Sequence, residues 1–385
     1  MTIHNNRNFC KNCILPNGFL DIMLDEEGIC DICRDPTFHT ESWRKVQITD
    51  TMRAEAKKDW NATIHTILCS ENRNPYDCIL GYSGGKDSTA LLDMLINDLN
   101  LKVLAVTIDT GFMTDVAKNN IKSTLENLNY SAHHCFISEG TSTFIRLYRF
   151  LFLNHHSNTR ILAGTVCDHC SDLIHSIIVK EAIQRDIPLI ILGYSSDQIK
   201  RYFYEIPQEE MRTKWTPEFI YTDPFTDDDR KWYLLEKEKN LTSLPRILLP
   251  YHVLEYDEQS IIHNITSKGL VEKGKTDPVL TNCHVVKAAL MYDLYRYGGV
   301  SYALQYAELV RQEPREERSR TRKKWLRLYM SIGKALLNGR FASNGIELFL
   351  SQIDLSKHDL LSTINSELMG DPNREKILTN IKLLK

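Results

Sequence analysis

A chain of 385 residues is long enough for two or three domains with a sizeable core. Its formal charge of −3 excludes a global positive field, so any nucleic-acid contact must be local. No apolar run is long enough to span a bilayer, and Met1 to Arg7 carry no apolar signal-peptide core. With ten cysteines, this composition points to a reducing cytoplasm, where thiols serve metals or catalysis more often than disulfides.

Cys10-Lys11-Asn12-Cys13 and Cys30-Asp31-Ile32-Cys33 are two C-x-x-C knuckles separated by sixteen residues. Each supplies two ligands from a tight turn, so four thiolates converge tetrahedrally and Zn2+ is the expected ion. The intervening residues read as turns around a short hairpin too small to bury much core, so the metal supplies the folding energy. Protein fills all four ligand places, which makes this a structural rather than a catalytic site.

Tyr76 to Tyr82 is a short apolar strand, followed by Ser83-Gly84-Gly85-Lys86-Asp87-Ser88 and then by helical spacing from Thr89 to Leu95. Strand, glycine turn and helix start form a phosphate cradle. The glycines admit an anion close to the backbone, the helix-start N–H groups point at it, and Lys86 adds charge. The spacing is not the Walker pattern, which places four residues between its first glycine and Gly-Lys. The stretch resembles the PP-loop of the ATP pyrophosphatase (adenine nucleotide alpha hydrolase) superfamily. That resemblance implies an enzyme that binds ATP and Mg2+, adenylates a carbonyl oxygen and releases pyrophosphate. A nitrogen or sulfur nucleophile then displaces AMP. It also implies ATP-binding roles for Tyr82, Ser83, Gly84, Gly85, Lys86, Asp87, Ser88 and Thr89, with Lys86 and Asp87 catalytic.

Leu101 to Asp109 reads as a buried parallel strand, a helix is expected from Thr114 to Leu128, and strands near Ala132–Ile137 and Pro188–Leu192. The alternation predicts an α/β fold with a doubly wound, Rossmann-like parallel sheet. Strand ends in such sheets bind ligands. By resemblance to the superfamily, Thr107 and Asp109 lie near the adenosine, Gly193 near the adenine, and Asp197 where an acidic residue helps hold magnesium.

Cys167-Asp168-His169-Cys170 precedes a helix through Leu173, Ile177 and Ala182. Two resemblances divide here. Cys10 to Pro16, Asp25 to Cys30 and Tyr76 to Ile79 resemble N-acetyl sugar amidotransferases. The internal C-x-x-C resembles that of tRNA 2-thiolation enzymes, which supply a third cysteine later in the chain; Cys283 is the candidate. The second resemblance implies a [4Fe-4S] cluster on Cys167, Cys170 and Cys283, with one iron open to hydrosulfide. A persulfide on the Cys167–Cys170 pair and a second zinc site including His169 or His284 are the alternatives. Cys69, Cys78 and Cys135 read as small buried hydrophobes.

From about Trp232 the pattern is helical, with a tyrosine stripe (Tyr292 to Tyr306) that reads as packing. The basic residues Arg311, Arg315, Arg318, Arg320, Arg322, Lys323, Lys324 and Arg327 surround Pro314 and suit either phosphates or a solvated helix face. The expected organisation is a four-cysteine zinc knuckle over 1–40, a PP-loop domain over 41–235 and a mostly helical region over 236–385. The leading expectation is ATP-dependent sulfur insertion into a tRNA base, a nucleobase or another small amide, with a separate sulfur donor. The alternative is a sugar or nucleotide-sugar amidotransferase fed with ammonia by a glutaminase partner. No membrane partner is expected, and a homodimer is compatible with either reading.

Overall fold

The computed structural model describes residues 8–35, 48–70, 74–155, 161–195, 202–276, 283–341 and 343–385. The chain forms two compact units, each discontinuous in sequence: one comprises 45–147 and 168–283, the other 1–44, 148–167 and 284–385.

The first unit is built on five parallel strands: β1 (Cys78–Gly81), β2 (Val103–Ile108), β3 (His134–Ile137), β4 (Leu189–Leu192) and β5 (Arg246–Leu248), in the order β3-β2-β1-β4-β5. β2 and β4 are buried throughout, which explains their unbroken apolar sequences. β3 and β5 form the edges and are partly exposed. Before the sheet, α1 (Asp50–Cys69) buries Ala56, Trp60 and Ile64, one residue per turn on one side. Its N-cap Thr49 accepts the Met52 N–H at 3.2 Å. Crossovers α2 (Lys86–Asp93) and α3 (Asp115–Asn127) follow β1 and β2, α4 (Thr141–Leu153) and α5 (Leu162–Gln184) follow β3, and α6 (Glu258–Ser267) follows β5.

The order reverses between β1 and β4, the topological switch of this sheet. Gly81 of β1 pairs with both Val106 and Leu192, so β1 and β4 end level while β2 runs two residues further, to Ile108. The loops after them, carrying Ser83–Ser88, Asp109 and Gly193, share the carboxyl edge. The expected α/β architecture is therefore present. The expected end of the nucleotide domain near residue 235 differs from it: β5 and α6 lie beyond that point and belong to the sheet unit. β5 is only three residues long, too short for a periodicity signal.

In the second unit, α7 (His284–Tyr297), α8 (Tyr302–Gln312), α9 (Arg315–Leu337), α10 (Ser343–Gln352), α11 (Lys357–Leu368) and α12 (Arg374–Leu384) follow one another. Ten of the fourteen residues of α7 are buried, and it packs against α10, α11 and α12. Tyr292 and Tyr306 are core residues, as the stripe suggested. Buried Arg296 is held by Glu367 at 2.9 Å and Asp371 at 2.6 Å. Asp293, fully enclosed, accepts the N–H groups of Leu162 at 2.7 Å and Ala163 at 3.1 Å and so caps α5. Among the described residues no helix is long and apolar enough to cross a membrane.

Burial pushes the Asp293 carboxyl up to about 8 against the pull of those two donors. A carboxyl raised above its unfolded value of about 4 binds its proton more tightly in the native state, so stability falls as pH rises from about 4 to 8. Denaturant unfolding across pH 5 to 8 is expected to show this decline, and Asp293→Asn to flatten it. An unchanged slope in the variant would remove Asp293 as the cause.

Candidate phosphate-loop site and four-cysteine centre

The turn between β1 and α2 is compressed from two sides. Gly84 has φ +72°, and a Cβ there would lie 2.5 Å from the Ala117 carbonyl oxygen of α3. A Cβ on Gly193, just beyond β4, would lie 3.0 Å from the Ser88 nitrogen. Only glycine fits at Gly84, and at Gly193 a side chain would have to push the Ser88 backbone aside. Behind the loop, the Asn120 amide donates to Gly84 O and to Lys275 O, both at 3.1 Å. Inside it, the Ser88 hydroxyl donates to Gly85 O at 3.2 Å and lies 3.2 Å from the Ser83 hydroxyl. The first N–H groups of α2 have no acceptor within the helix and sum to a partial positive charge. This is a cradle suited to phosphate, and the residues present fit a nucleotide's anionic end.

Lys86 is 5% exposed and its ammonium has three oxygen partners. It lies 2.7 Å from Asp87 Oδ2, 3.1 Å from the Tyr256 hydroxyl and 3.4 Å from Glu258 Oε1. The Tyr256 hydroxyl is also 3.0 Å from Asp87 Oδ1, and the Tyr251 hydroxyl donates to the Asp87 carbonyl at 3.0 Å. Burial alone would depress the Lys86 ammonium, but the Asp87 charge and the hydrogen bonds to Asp87 and Tyr256 hold it above the ordinary lysine range. Burial and the Asp87 charge push Tyr256 up to about 12. Sequence reasoning missed Asn120, Tyr251, Tyr256 and Glu258. They come from segments far from the loop in sequence and carry no motif.

The remaining expected ATP residues divide. Tyr82 and Thr89 point into the core, their hydroxyls 3.3 Å apart, and burial pushes Tyr82 up to about 12. Thr107 is 2% exposed; its hydroxyl donates to Tyr82 O at 2.7 Å and faces His134 Nε2 at 2.8 Å. One hydroxyl proton cannot serve both, so His134 carries its proton on Nε2. Asp109 accepts the Gly111 N–H at 2.8 Å and is partly exposed. Asp197, the expected magnesium ligand, lies outside the described residues.

The knuckles meet as expected. Among the described residues, Cys10, Cys13, Cys30 and Cys33 are the one group of three or more metal-type ligands within reach of a single ion, their sulfurs all within 4.8 Å of one another. Cys13 Sγ and Cys30 Sγ are 3.6 Å apart, close to the ~3.8 Å between sulfurs of a tetrahedral zinc site with bonds near 2.3 Å. Backbone N–H groups of Cys13 and Cys30 donate to Cys10 Sγ at 3.4 and 3.3 Å, which suits a thiolate. Arg322 of α9 donates to Cys10 O at 2.7 Å and Cys13 O at 2.6 Å. Phe9 meets Tyr329 edge to face at 5.9 Å. The knuckle is thus seated on the helical region of its own unit.

Part of the basic run is consumed by structure. Arg311 pairs with Glu308 at 2.9 Å, Arg318 donates to Arg311 O and Glu313 O, and Arg322 serves the knuckle. Arg315, Arg320, Lys323, Lys324 and Arg327 lie along α9, all exposed. The knuckle unit carries 23 basic against 18 acidic residues and the sheet unit 24 against 32, so the formal −3 averages opposite signs.

Cys167 and Cys170 lie within α5, its sixth and ninth residues, rather than ahead of it. They are three residues apart and share a side of the helix; Cys167 is exposed, and Cys170 and Cys283 are half-buried. Cys78 is buried and pushed upward by that burial, Cys135 is half-buried, and Cys69 is exposed at the end of α1, correcting its expected burial.

Removing the metal with a strong chelator is expected to unfold the knuckle. Arg322→Ala is expected to cost roughly 1–3 kcal/mol by stranding two carbonyls, without changing the metal content. Denaturant unfolding with metal analysis checks both; an unchanged unfolding midpoint would contradict the seating by Arg322.

No family model matches the chain, and no curated protein matches it. Among solved structures it is similar to the U34-tRNA thiolase NcsA from Methanococcus maripaludis with its [4Fe-4S] cluster, at 13% identity and a TM-score of 0.34, covering 76% of this chain and 89% of that one. It is also similar to an NH3-dependent NAD synthetase from Campylobacter jejuni subsp. jejuni in complex with the nitrate ion, at 12% identity and a TM-score of 0.34, covering 73% and 96%. Similarity at this level does not assign an activity.

Proposed function

We propose that the chain is an ATP-dependent adenylating enzyme that inserts sulfur into an amide-type acceptor. The observation that carries the ATP step is the glycine loop with buried Lys86, placed where the strand order reverses. The acceptor's amide oxygen attacks the α-phosphorus, and the bond to pyrophosphate breaks. Lys86 and the loop N–H groups face the charge that builds on the leaving phosphates. Asp87 orients Lys86 through their 2.7 Å contact. A sulfur nucleophile then attacks the activated carbon, a C–S bond forms, and AMP leaves with the oxygen.

Sulfur as the nucleophile is supported by Cys167 and Cys170, three residues apart on one side of α5. A persulfide on one thiol gives up its outer sulfur to the activated carbon, and the second thiol closes a disulfide. A [4Fe-4S] cluster on Cys167, Cys170 and Cys283 would instead present hydrosulfide on an open iron. Zinc is the ion proposed for Cys10, Cys13, Cys30 and Cys33. The second reading, ammonia from a glutaminase partner and a sugar or nucleotide-sugar acceptor, is favoured by the N-terminal Cys10–Pro16 stretch.

Lys86→Ala is expected to weaken MgATP binding at least about tenfold, the scale of a lost charge-assisted contact. Equal affinity would sink the ATP step at this loop. The nucleophile is tested on anaerobically purified protein by assaying iron, zinc, acid-labile sulfide and thiol-bound sulfur. Labile sulfur that disappears in Cys167→Ser is the expected result, and roughly four irons with matching sulfide would identify the cluster. Zinc alone, with no labile sulfur, would contradict sulfur transfer and leave the ammonia reading.

A further inference from the structure

The loop lysine does not point into open solvent. Lys86 is 5% exposed and its three oxygen partners differ in kind. Asp87 is buried beside it and binds through both oxygens, Oδ2 to Lys86 at 2.7 Å and Oδ1 to the Tyr256 hydroxyl at 3.0 Å. The Tyr256 hydroxyl accepts from Lys86 at 3.1 Å and donates to Asp87, which closes a ring of three hydrogen bonds. Glu258 stands outside that ring. It is 52% exposed, its oxygen is 3.4 Å from Lys86, and it is the first residue of α6. A half-exposed ion pair at that distance is screened and weak. A phosphate oxygen offers the ammonium a stronger partner of the same sign.

We propose that Tyr256 is a positioning residue that holds Lys86 toward the loop, and that Glu258 is the exchangeable partner whose place a phosphate oxygen of ATP takes. The inference deepens the ATP reading and rests on it. Asp87 and Tyr256 keep their bonds to Lys86 when the nucleotide enters, so the ammonium need not be reoriented. The Glu258 carboxylate acts as a competitor for the same charge.

The two residues therefore have opposite expected effects. Tyr256→Phe removes the hydroxyl but keeps the ring, which meets Tyr251 edge to face at 5.2 Å. Glu258→Gln keeps shape and removes the charge. The full chain and both variants are titrated calorimetrically with MgATP and with magnesium pyrophosphate, at low and high salt. Tyr256→Phe is expected to bind both about tenfold more weakly. Glu258→Gln is expected to bind both about threefold more tightly, with a gain that shrinks as salt rises. A merely structural role would weaken binding in both variants. Loss in both, or no change in either, overturns the inference while the ATP reading stands. Failure of the unsubstituted chain to bind MgATP overturns both.

Discussion

Two backbone approaches fix the site on which the functional account depends. Gly84 lies against the Ala117 carbonyl of α3, and Gly193 lies against the backbone of Ser88. The first leaves no room for a Cβ, and the second would press one against the Ser88 backbone. Together they clamp the turn between the helix that follows β2 and the end of β4, across the point where the strand order reverses. A loop held in this way keeps its N–H groups converged without a ligand, so little reorganisation opposes anion binding. The level ends of β1 and β4, beside the end of β2, bring the clamp's parts to one edge of the sheet.

Charge is handled by a common rule in both units. A buried ion is tolerated where a partner and further hydrogen bonds meet it. Lys86 is met by Asp87 and Tyr256, and Arg296 by Glu367 and Asp371. At the knuckle, the cation of Arg322 spans two carbonyls beside the cysteine sulfurs. Asp293 differs: among the described residues its partners are two neutral N–H donors, and burial raises it. The phosphate loop is the place where such pairing is also a means of function, because one of the three partners of Lys86 is exposed and weakly held.

The strands, the loop and the four-cysteine knuckle were legible because each has a short-range signature. β2 and β4 are unbroken apolar runs, the loop is six contiguous residues, and the knuckles are two close pairs. What escaped was assembled over long separations. Tyr256 and Glu258 reach Lys86 across about 170 positions, with a 3.1 Å bond from Tyr256. Arg322 looked like one cation in a basic run and instead binds the backbone of the knuckle. β5 was too short to show a period, which hid the extent of the sheet unit. Cys167 and Cys170 were read as preceding a helix, whereas α5 begins before them at Leu162.

A crystal structure with magnesium and a non-hydrolysable ATP analogue tests the central claim most directly. The account predicts phosphate oxygens within hydrogen-bonding distance of the N–H groups between Ser83 and Ser88, with Lys86 bound to one of them. Phosphates seated elsewhere in the chain, with this loop empty, would contradict it.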